Sequence, residues 1–124
     1  MAAPIKIKIG HLCLKAELHD TDTAKGILSI LPYRGSFNVW GDEFYFEVPY
    51  KATLDHTATT KVRIGDIGYW PPGSAIAIFF GPTPLSTGTE PVPASEVNII
   101  GRILDDPREL IEVKSEEEIV IEVG

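Results

Sequence analysis

The segment GSFNVWGDEFYFEVP, residues 35–49, decides the fold class because it has the pattern of a β-hairpin. Apolar and polar side chains alternate around Gly41-Asp42, and glycine in the first turn position suits a two-residue type II′ turn. The predicted pairs are Trp40 with Glu43, Asn38 with Tyr45 and Phe37 with Phe46. The predicted inner face carries Phe37, Val39, Phe44, Phe46 and Val48, and the outer face carries Asn38, Trp40, Glu43, Tyr45 and Glu47. Two aromatic rings on an outer face need covering by another part of the chain.

Strand patterns continue on both sides of this hairpin, with an irregular connection at residues 50–61. Further strands are predicted at IKIKI (5–9), CLKAEL (13–18), DIGYW (66–70), SAIAIFF (74–80), VNIIGRIL (97–104) and EEIVIEV (117–123). Helices are predicted at residues 19–32, capped by Asp20 or Thr21, and at residues 105–113, with Leu110 and Ile111 facing inward. Strands and helices do not alternate as in a parallel sheet. We therefore expect a mainly β fold: a closed antiparallel barrel of about eight strands with two short capping helices.

Composition places the chain in an ordinary globular class. Its 124 residues, 44% hydrophobic and 23% charged, predict a single domain spanning 1–124. A net charge of −7 with scattered basic residues argues against a nucleic-acid partner. No apolar run approaches the ~20 residues of a membrane helix, so no membrane partner is expected. The N-terminus lacks the apolar core of a secretory signal and Cys13 has no partner cysteine, which together predict a cytoplasmic protein.

No motif for metal or cofactor chemistry is present, and neither group is predicted. His11, His19 and His56 are far apart and none has a ligand-spaced histidine or cysteine. Cys13 lies in a predicted strand, where we expect a buried, inert thiol. Asp42 and Glu43 are neighbours at a hairpin tip, so they point apart and make a poor acid–base pair. Glycine-rich phosphate loops and nucleophile elbows are also missing from the sequence.

Aromatic residues concentrate in one part of the chain, since ten of the eleven lie between Phe37 and Phe80. Ten aromatic residues are more than the inner face of one sheet needs to form its core. Aromatic concavities framed by prolines commonly bind peptides or small apolar ligands, and core packing beneath a covered outer face is the alternative. The loop at residues 81–96 contains four prolines, so we expect it to be stiff, either as part of a site or as a tolerated insertion. Arg102 is either a recognition group or part of a surface ion pair.

Three long segments carry a resemblance to a known fold. NVWGDEFYFEVP (38–49), GDIGYWPPGSAIAIFFGPTP (65–84) and NIIGRILDDP (98–107) resemble the cyclophilin fold, and more closely a small prokaryotic cyclophilin-like family of unassigned activity. The resemblance implies an eight-stranded antiparallel barrel capped by two helices, with a ligand groove on the outer wall. If the protein is an enzyme, the resemblance implies a peptidyl-prolyl cis-trans isomerase.

The catalytic residues of cyclophilins are not matched. Cyclophilin isomerases carry Phe-His-Arg on the third strand and Gln-Gly-Gly on the fourth, where this chain has SFNVWG and EFYFEVP. The segment IAIFFG is similar to the strand that floors the proline pocket, which makes Phe80, or Phe79, the floor candidate. The groove histidine falls near Val97 or Asn98 and is not kept. The arginine of the Phe-His-Arg run is missing from this chain, and one well-placed electrostatic donor is worth ~2.7–4 kcal/mol in a transition state. The groove is therefore expected to bind proline but to isomerise it poorly.

The residues predicted to line the groove are Asn38, Trp40, Tyr45, Trp70, Phe80, Thr83, Asn98 and Arg102. Three functions remain open at this point. The first is a module that binds a peptide or small molecule without efficient isomerisation, and the second is an atypical prolyl isomerase that uses other donors. The third is a structural or interaction subunit, including a homo-oligomer with its aromatic face buried.

Overall fold

The strands of the sheet follow from the alternation of apolar residues, as in the first strand, Ala3–Ile9, where Ile5, Ile7 and Ile9 are buried. The computed structural model describes residues 2–124. Its strands are β1 Ala3–Ile9, β2 Leu12–Leu18, β3 Tyr33–Ser36, β4 Asn38–Val39, β5 Glu43–Glu47, β6 Asp66–Trp70, β7 Ala75–Phe79, β8 Asn98–Ile103 and β9 Glu118–Val123. The helix α1 spans Asp22–Ser29, and 3₁₀ helices span Pro71–Gly73 and Pro107–Val113.

The nine strands form one antiparallel sheet in the order β3-β9-β1-β2-β8-β6-β7-β5-β4. Its two edge strands, β3 and β4, are consecutive in the chain and are separated only by Phe37. The sheet therefore curls into a nearly closed antiparallel barrel, which confirms the predicted fold class. The predicted count of eight strands was slightly low because the third strand divides at Phe37: β3 pairs with β9, and β4 pairs with β5.

The hairpin of β4 and β5 has the predicted register, with Asn38 opposite Tyr45 and the Trp40 amide donating to the Glu43 carbonyl at 2.9 Å. The predicted pairing of Phe37 with Phe46 does not form, since Phe37 lies between the two strand halves. The Phe37 ring instead packs against Phe44, with ring centroids 4.5 Å apart.

The helix α1 and the 3₁₀ helix Pro107–Val113 cap the barrel through a few apolar side chains. Thr21 caps α1, accepting from the Ala24 amide at 3.1 Å, and Ile27 is buried in the barrel interior. The second predicted helix forms as the 3₁₀ helix Pro107–Val113. Its three residues per turn place Leu110 and Val113 on the buried side, so the prediction that Ile111 faces inward was wrong. No helix in residues 2–124 combines the length and apolar character needed to cross a membrane.

Two further expectations about burial are corrected. Cys13 is exposed, because Leu14, Ala16 and Leu18 are the inward residues of β2 and Cys13 has the opposite phase. Val39 is 43% exposed, because β4 is only two residues long and lies at the sheet edge. The rest of the predicted inner face of the hairpin is buried or half-buried.

Candidate functional site

Strand β7 is buried on both sides, which determines where the site lies. Ile76 and Ile78 join the main core inside the barrel. Ala77 and Phe79 point to the outer side, where they form a second buried cluster with Val62 and Val97. A strand covered on both faces is apolar throughout, as its sequence indicated. The outer wall of the barrel is therefore a packed surface at this strand.

A cavity of about 250 Å³ opens on this outer wall, and we call it the outer cavity. Its lining residues are Trp40, Glu43, Tyr45, Trp70, Ala77, Pro93, Ala94 and Val97. Ala77 stands opposite Tyr45 on β5 and opposite Gly68 on β6. Ala77 and Gly68 are both small, so they leave a depression between large aromatic side chains. A Cβ atom on Gly68 would lie 2.9 Å from Val97, so the wall has no room for a larger residue there.

The loop at residues 81–97 forms one wall of the outer cavity and is held by its own polar groups. Thr83 donates its hydroxyl to the Val92 carbonyl at 2.6 Å, and Ser86 donates to the Glu90 carbonyl at 2.7 Å. The indole nitrogen of Trp70 donates to the Ser95 hydroxyl at 2.7 Å, which joins the loop to the end of β6. The loop is thus stiffened by hydrogen bonds as well as by its prolines.

Glu43 is the one acidic residue of the outer cavity. Its side chain is only 7% exposed, and its Oε1 atom is buried without a hydrogen-bond partner within residues 2–124. Burial raises the pKa of Glu43 from its ordinary value of 4.5 to about 8, so the carboxyl is mostly neutral at pH 7. Its neighbour Asp42 is turned elsewhere and pairs with Lys114. The two carboxyls therefore point apart, as the hairpin predicted.

Three of the predicted site residues meet in the outer cavity: Trp40, Tyr45 and Trp70. Each is half-buried and comes from a different strand or strand end of the sheet. Asn38 lies beside them on β4 but is exposed, and its amide donates to the Tyr45 carbonyl at 3.3 Å. Asn38 does not line the cavity.

Phe80 lies on the opposite side of the sheet from the outer cavity. Its ring packs against Phe44 in the barrel interior, with ring centroids 4.6 Å apart. The alternation along β7 puts Phe79, the second floor candidate, on the outer side instead. The floor of the cavity itself is Ala77.

Thr83, Asn98 and Arg102 also lie outside the lining of the outer cavity, and each has another structural role. Thr83 is buried and organises the loop. Asn98 is fully buried, where it accepts from the Asp55 amide at 2.8 Å and donates to the Thr53 carbonyl at 3.0 Å. Arg102 is exposed and pairs with Glu17 at 3.0 Å, which is the surface ion pair considered above.

Sequence reasoning missed Glu43, Ala77, Pro93 and Ala94 as lining residues. The signal for Ala77 was available, because the hairpin register places Tyr45 on the outer face and small residues alternate in the segment AIAIFF. Glu43 was assigned to the outer face, but Pro93 and Ala94, which line the cavity with it, lie about fifty residues later in the chain. That contact between distant segments has no local pattern.

The outer cavity is suited to binding and offers little catalytic chemistry. Its lining contains no arginine, lysine or histidine, and its titratable side chains are Glu43 and Tyr45. Within residues 2–124, no group of three or more His, Cys, Asp or Glu side chains is placed to hold a metal ion. The arrangement offers three aromatic side chains and one buried carboxyl to a ligand.

A family model described as Cyclophilin-like matches residues 3–122, nearly the whole chain. The chain belongs to the cyclophilin-like family. This cyclophilin-like barrel is similar to the solution structure of a hypothetical protein from Archaeoglobus fulgidus, with 34% identity and a TM-score of 0.83. That similarity covers 99% of this chain and 95% of the archaeal one. No curated protein matches this cyclophilin-like chain at a significant level.

A second solved structure shares the cyclophilin-like fold alone. McbB, determined in complex with tryptophan, is 16% identical and superposes with a TM-score of 0.70. The match covers 97% of this cyclophilin-like chain and 44% of McbB, so this chain spans less than half the length of that protein.

Proposed function

We propose that this cyclophilin-like protein is a binding module whose outer cavity holds a small molecule or one side chain of a peptide, without efficient prolyl isomerisation. The observation that carries the proposal is the meeting of Trp40, Tyr45 and Trp70 around the small floor residue Ala77. Aromatic concavities with a few polar groups are the common form of small-ligand sites.

The size of the outer cavity limits the ligand. Its volume of about 250 Å³ equals that of roughly eight liquid waters, at ~30 Å³ each. Ligand pockets usually measure ~300–1,000 Å³, so this cavity is at the small end. We therefore expect one compact group inside it, such as an aromatic ring or a branched alkyl group, with any remaining part of the ligand outside.

The lack of an arginine supports binding rather than isomerisation. Rotation about a peptide bond has a barrier of ~18–20 kcal/mol, and a cyclophilin is thought to lower it with an arginine beside the amide. No arginine lines the outer cavity, and Arg102 is engaged with Glu17. A missing donor of this kind costs roughly a hundredfold to a thousandfold in rate.

A titration followed by NMR tests the proposal. The indole N–H signals of Trp40 and Trp70 report on the outer cavity, and indole is a suitable first probe because McbB was solved with tryptophan. A short Ala-Pro peptide in a second sample tests binding and, by magnetisation exchange, isomerisation. We expect saturable shifts of both tryptophan signals and exchange at the uncatalysed rate.

Ala77→Leu provides the matched variant, because the larger side chain extends into the outer cavity. We expect it to abolish the indole-induced shifts, while Arg102→Ala, whose ion pair lies outside the cavity, keeps them. Shifts that persist in Ala77→Leu, or a peptide exchange rate far above the uncatalysed rate, would contradict the proposal.

A further inference from the structure

We infer that the ligand of the outer cavity carries a compact cationic nitrogen, an alkylated ammonium group, held among the rings of Trp40, Tyr45 and Trp70 with Glu43 as its counter-ion. This inference rests on the proposed function and adds the chemical class of the ligand. It depends on two features of the site: a buried carboxyl whose Oε1 atom has no partner among residues 2–124, and three aromatic side chains that line the same cavity.

Glu43 is buried, with 7% of the residue exposed, and its Oε1 atom accepts no hydrogen bond from any described residue. Buried polar groups are almost always paired, because an unpaired one loses its water without compensation. Lys114, which reaches the hairpin tip from the end of the 3₁₀ helix Pro107–Val113, is paired with the neighbouring Asp42. Because Glu43 lines the outer cavity, a bound ligand can supply a partner to its carboxyl.

The surroundings of Glu43 favour a cation over other partners. The faces of tryptophan and tyrosine attract cations through the ring quadrupole, and compact alkylammonium groups are the ligands most often held this way. An anionic ligand would meet the Glu43 carboxyl with no lysine or arginine in the lining to offset it. The net charge of −7 also attracts cations toward the surface.

Binding of a cation is coupled to a proton. Phe79 stands opposite Glu43 on β7, and the residues that line the outer cavity with Glu43 are Trp40, Tyr45, Trp70, Ala77, Pro93, Ala94 and Val97. Of these only Tyr45 can ionise, and burial alone raises the pKa of Glu43 to about 8. At pH 7 the neutral carboxyl must give its proton to the buffer when the ammonium group arrives, leaving a carboxylate–ammonium pair.

The coupling sets the direction of the pH dependence. Only ionised Glu43 forms the pair, so the affinity for a permanent cation rises with pH and levels off above pH 8. With a pKa of about 8, the ionised fraction grows roughly fiftyfold between pH 6 and pH 8, and the affinity is expected to follow it. A ligand that instead accepted a hydrogen bond from neutral Glu43 would lose affinity above pH 8.

Calorimetry with two probes of equal shape tests the inference. Choline carries a trimethylammonium group, and 3,3-dimethylbutan-1-ol replaces it with an uncharged tert-butyl group. We expect choline to bind at least tenfold tighter at pH 8, to gain affinity from pH 6 to pH 8, and to release close to one proton at pH 7. The proton count comes from titrations in phosphate and Tris, which differ in ionisation enthalpy.

Two variants separate the carboxyl from general charge effects. Glu43→Gln keeps the shape of the side chain and should remove the preference for choline and the proton release. Glu47→Gln removes an exposed charge from the same strand and should leave both unchanged. Equal affinity for the two probes in the wild type, or a choline preference that survives Glu43→Gln, would overturn the inference.

The outcomes also distinguish this inference from the proposed function. If indole or 3,3-dimethylbutan-1-ol shifts the tryptophan signals and choline has no advantage, the outer cavity is a binding site and the cationic class is wrong. If none of the three probes shifts the signals of Trp40 and Trp70, the proposed function itself fails and the inference fails with it.

Discussion

Tyr45 stands directly opposite Ala77 across the β5–β7 ladder, on the outer side of the barrel. Side chains in such cross-strand pairs are about 5 Å apart at Cβ, so a large ring beside a methyl group leaves open space above the smaller residue. Trp40 and Trp70 enclose that space from the sides. This pair explains why the barrel has a cavity on its outer wall at this place.

The hydrogen bond between Trp70 and Ser95 is expected to hold the loop wall in place for binding. Ser95→Ala removes a contact worth about 0.5–1.5 kcal/mol, so indole affinity should fall by a few-fold to tenfold. Fluorescence titration of the purified variant measures the change. The control is Ser29→Ala, which removes a hydroxyl bond to the Gly26 carbonyl in α1. An equal loss in that control would refute a specific role for Ser95.

The raised pKa of Glu43 predicts a distinct pH dependence of stability. The folded carboxyl stays neutral up to about pH 8, whereas the unfolded one ionises above its ordinary value of 4.5. Unfolding therefore releases a proton between those values, and the contribution of Glu43 falls by about 1.4 kcal/mol per pH unit as pH rises. Urea unfolding from pH 5 to pH 8 should show a shallower decline in Glu43→Gln than in the wild type.

The exposed Glu47 supplies the control for this measurement. Glu47→Gln removes one exposed carboxylate from the same strand, so it measures how much of the change comes from the loss of a surface charge. Parallel curves for the wild type and Glu43→Gln would show that the buried carboxyl does not titrate as the structure indicates.

Asn98 is expected to be a structural residue rather than a ligand contact. Asn98→Leu leaves the Thr53 carbonyl and the Asp55 amide without the buried side chain that pairs with them, at about 1–3 kcal/mol for each group left unsatisfied. We expect a total loss near 3 kcal/mol in urea unfolding. Asn38→Ala, which removes a single 3.3 Å bond at the surface, should cost less than about 1 kcal/mol. Similar losses in the two variants would contradict this assignment.

Gly41 is required by the hairpin turn. Its φ angle is +62°, and a Cβ atom there would lie 2.9 Å from both Thr83 and Pro84. Gly41→Ala should therefore destabilise the protein by at least the ~1–2 kcal/mol of a left-handed residue. Gly88→Ala is the control, because a Cβ atom at Gly88 meets nothing within 4 Å. A thermal melt compares the two, and equal midpoints would refute the assignment.

The sequence predicted the elements whose signals are local. The register of Asn38 with Tyr45 followed from the glycine turn. The start of an amphipathic helix predicted a cap at Asp20 or Thr21, and the cap is Thr21. The strand patterns also predicted the barrel class. The concentration of aromatic residues in one part of the chain pointed to Trp40, Tyr45 and Trp70.

The remaining features depend on contacts that no local pattern encodes. Residues 75–80 are apolar on both sides, so alternation could not show whether Phe79 or Phe80 faces outward. The interruption at Phe37 reflects a change of partner from β9 to β5, which is a property of barrel closure. The cavity at Glu43 is completed by Pro93, Ala94 and Val97, which lie about fifty residues later in the chain.

The most direct test of the central claim is an isotope-filtered NOE experiment on the protein saturated with indole. The account predicts NOEs from indole protons to the Ala77 methyl group and to the rings of Trp40 and Trp70. It predicts none to Phe80, which lies inside the barrel. NOEs confined to other residues, with the Ala77 methyl silent at saturation, would contradict a binding site in the outer cavity.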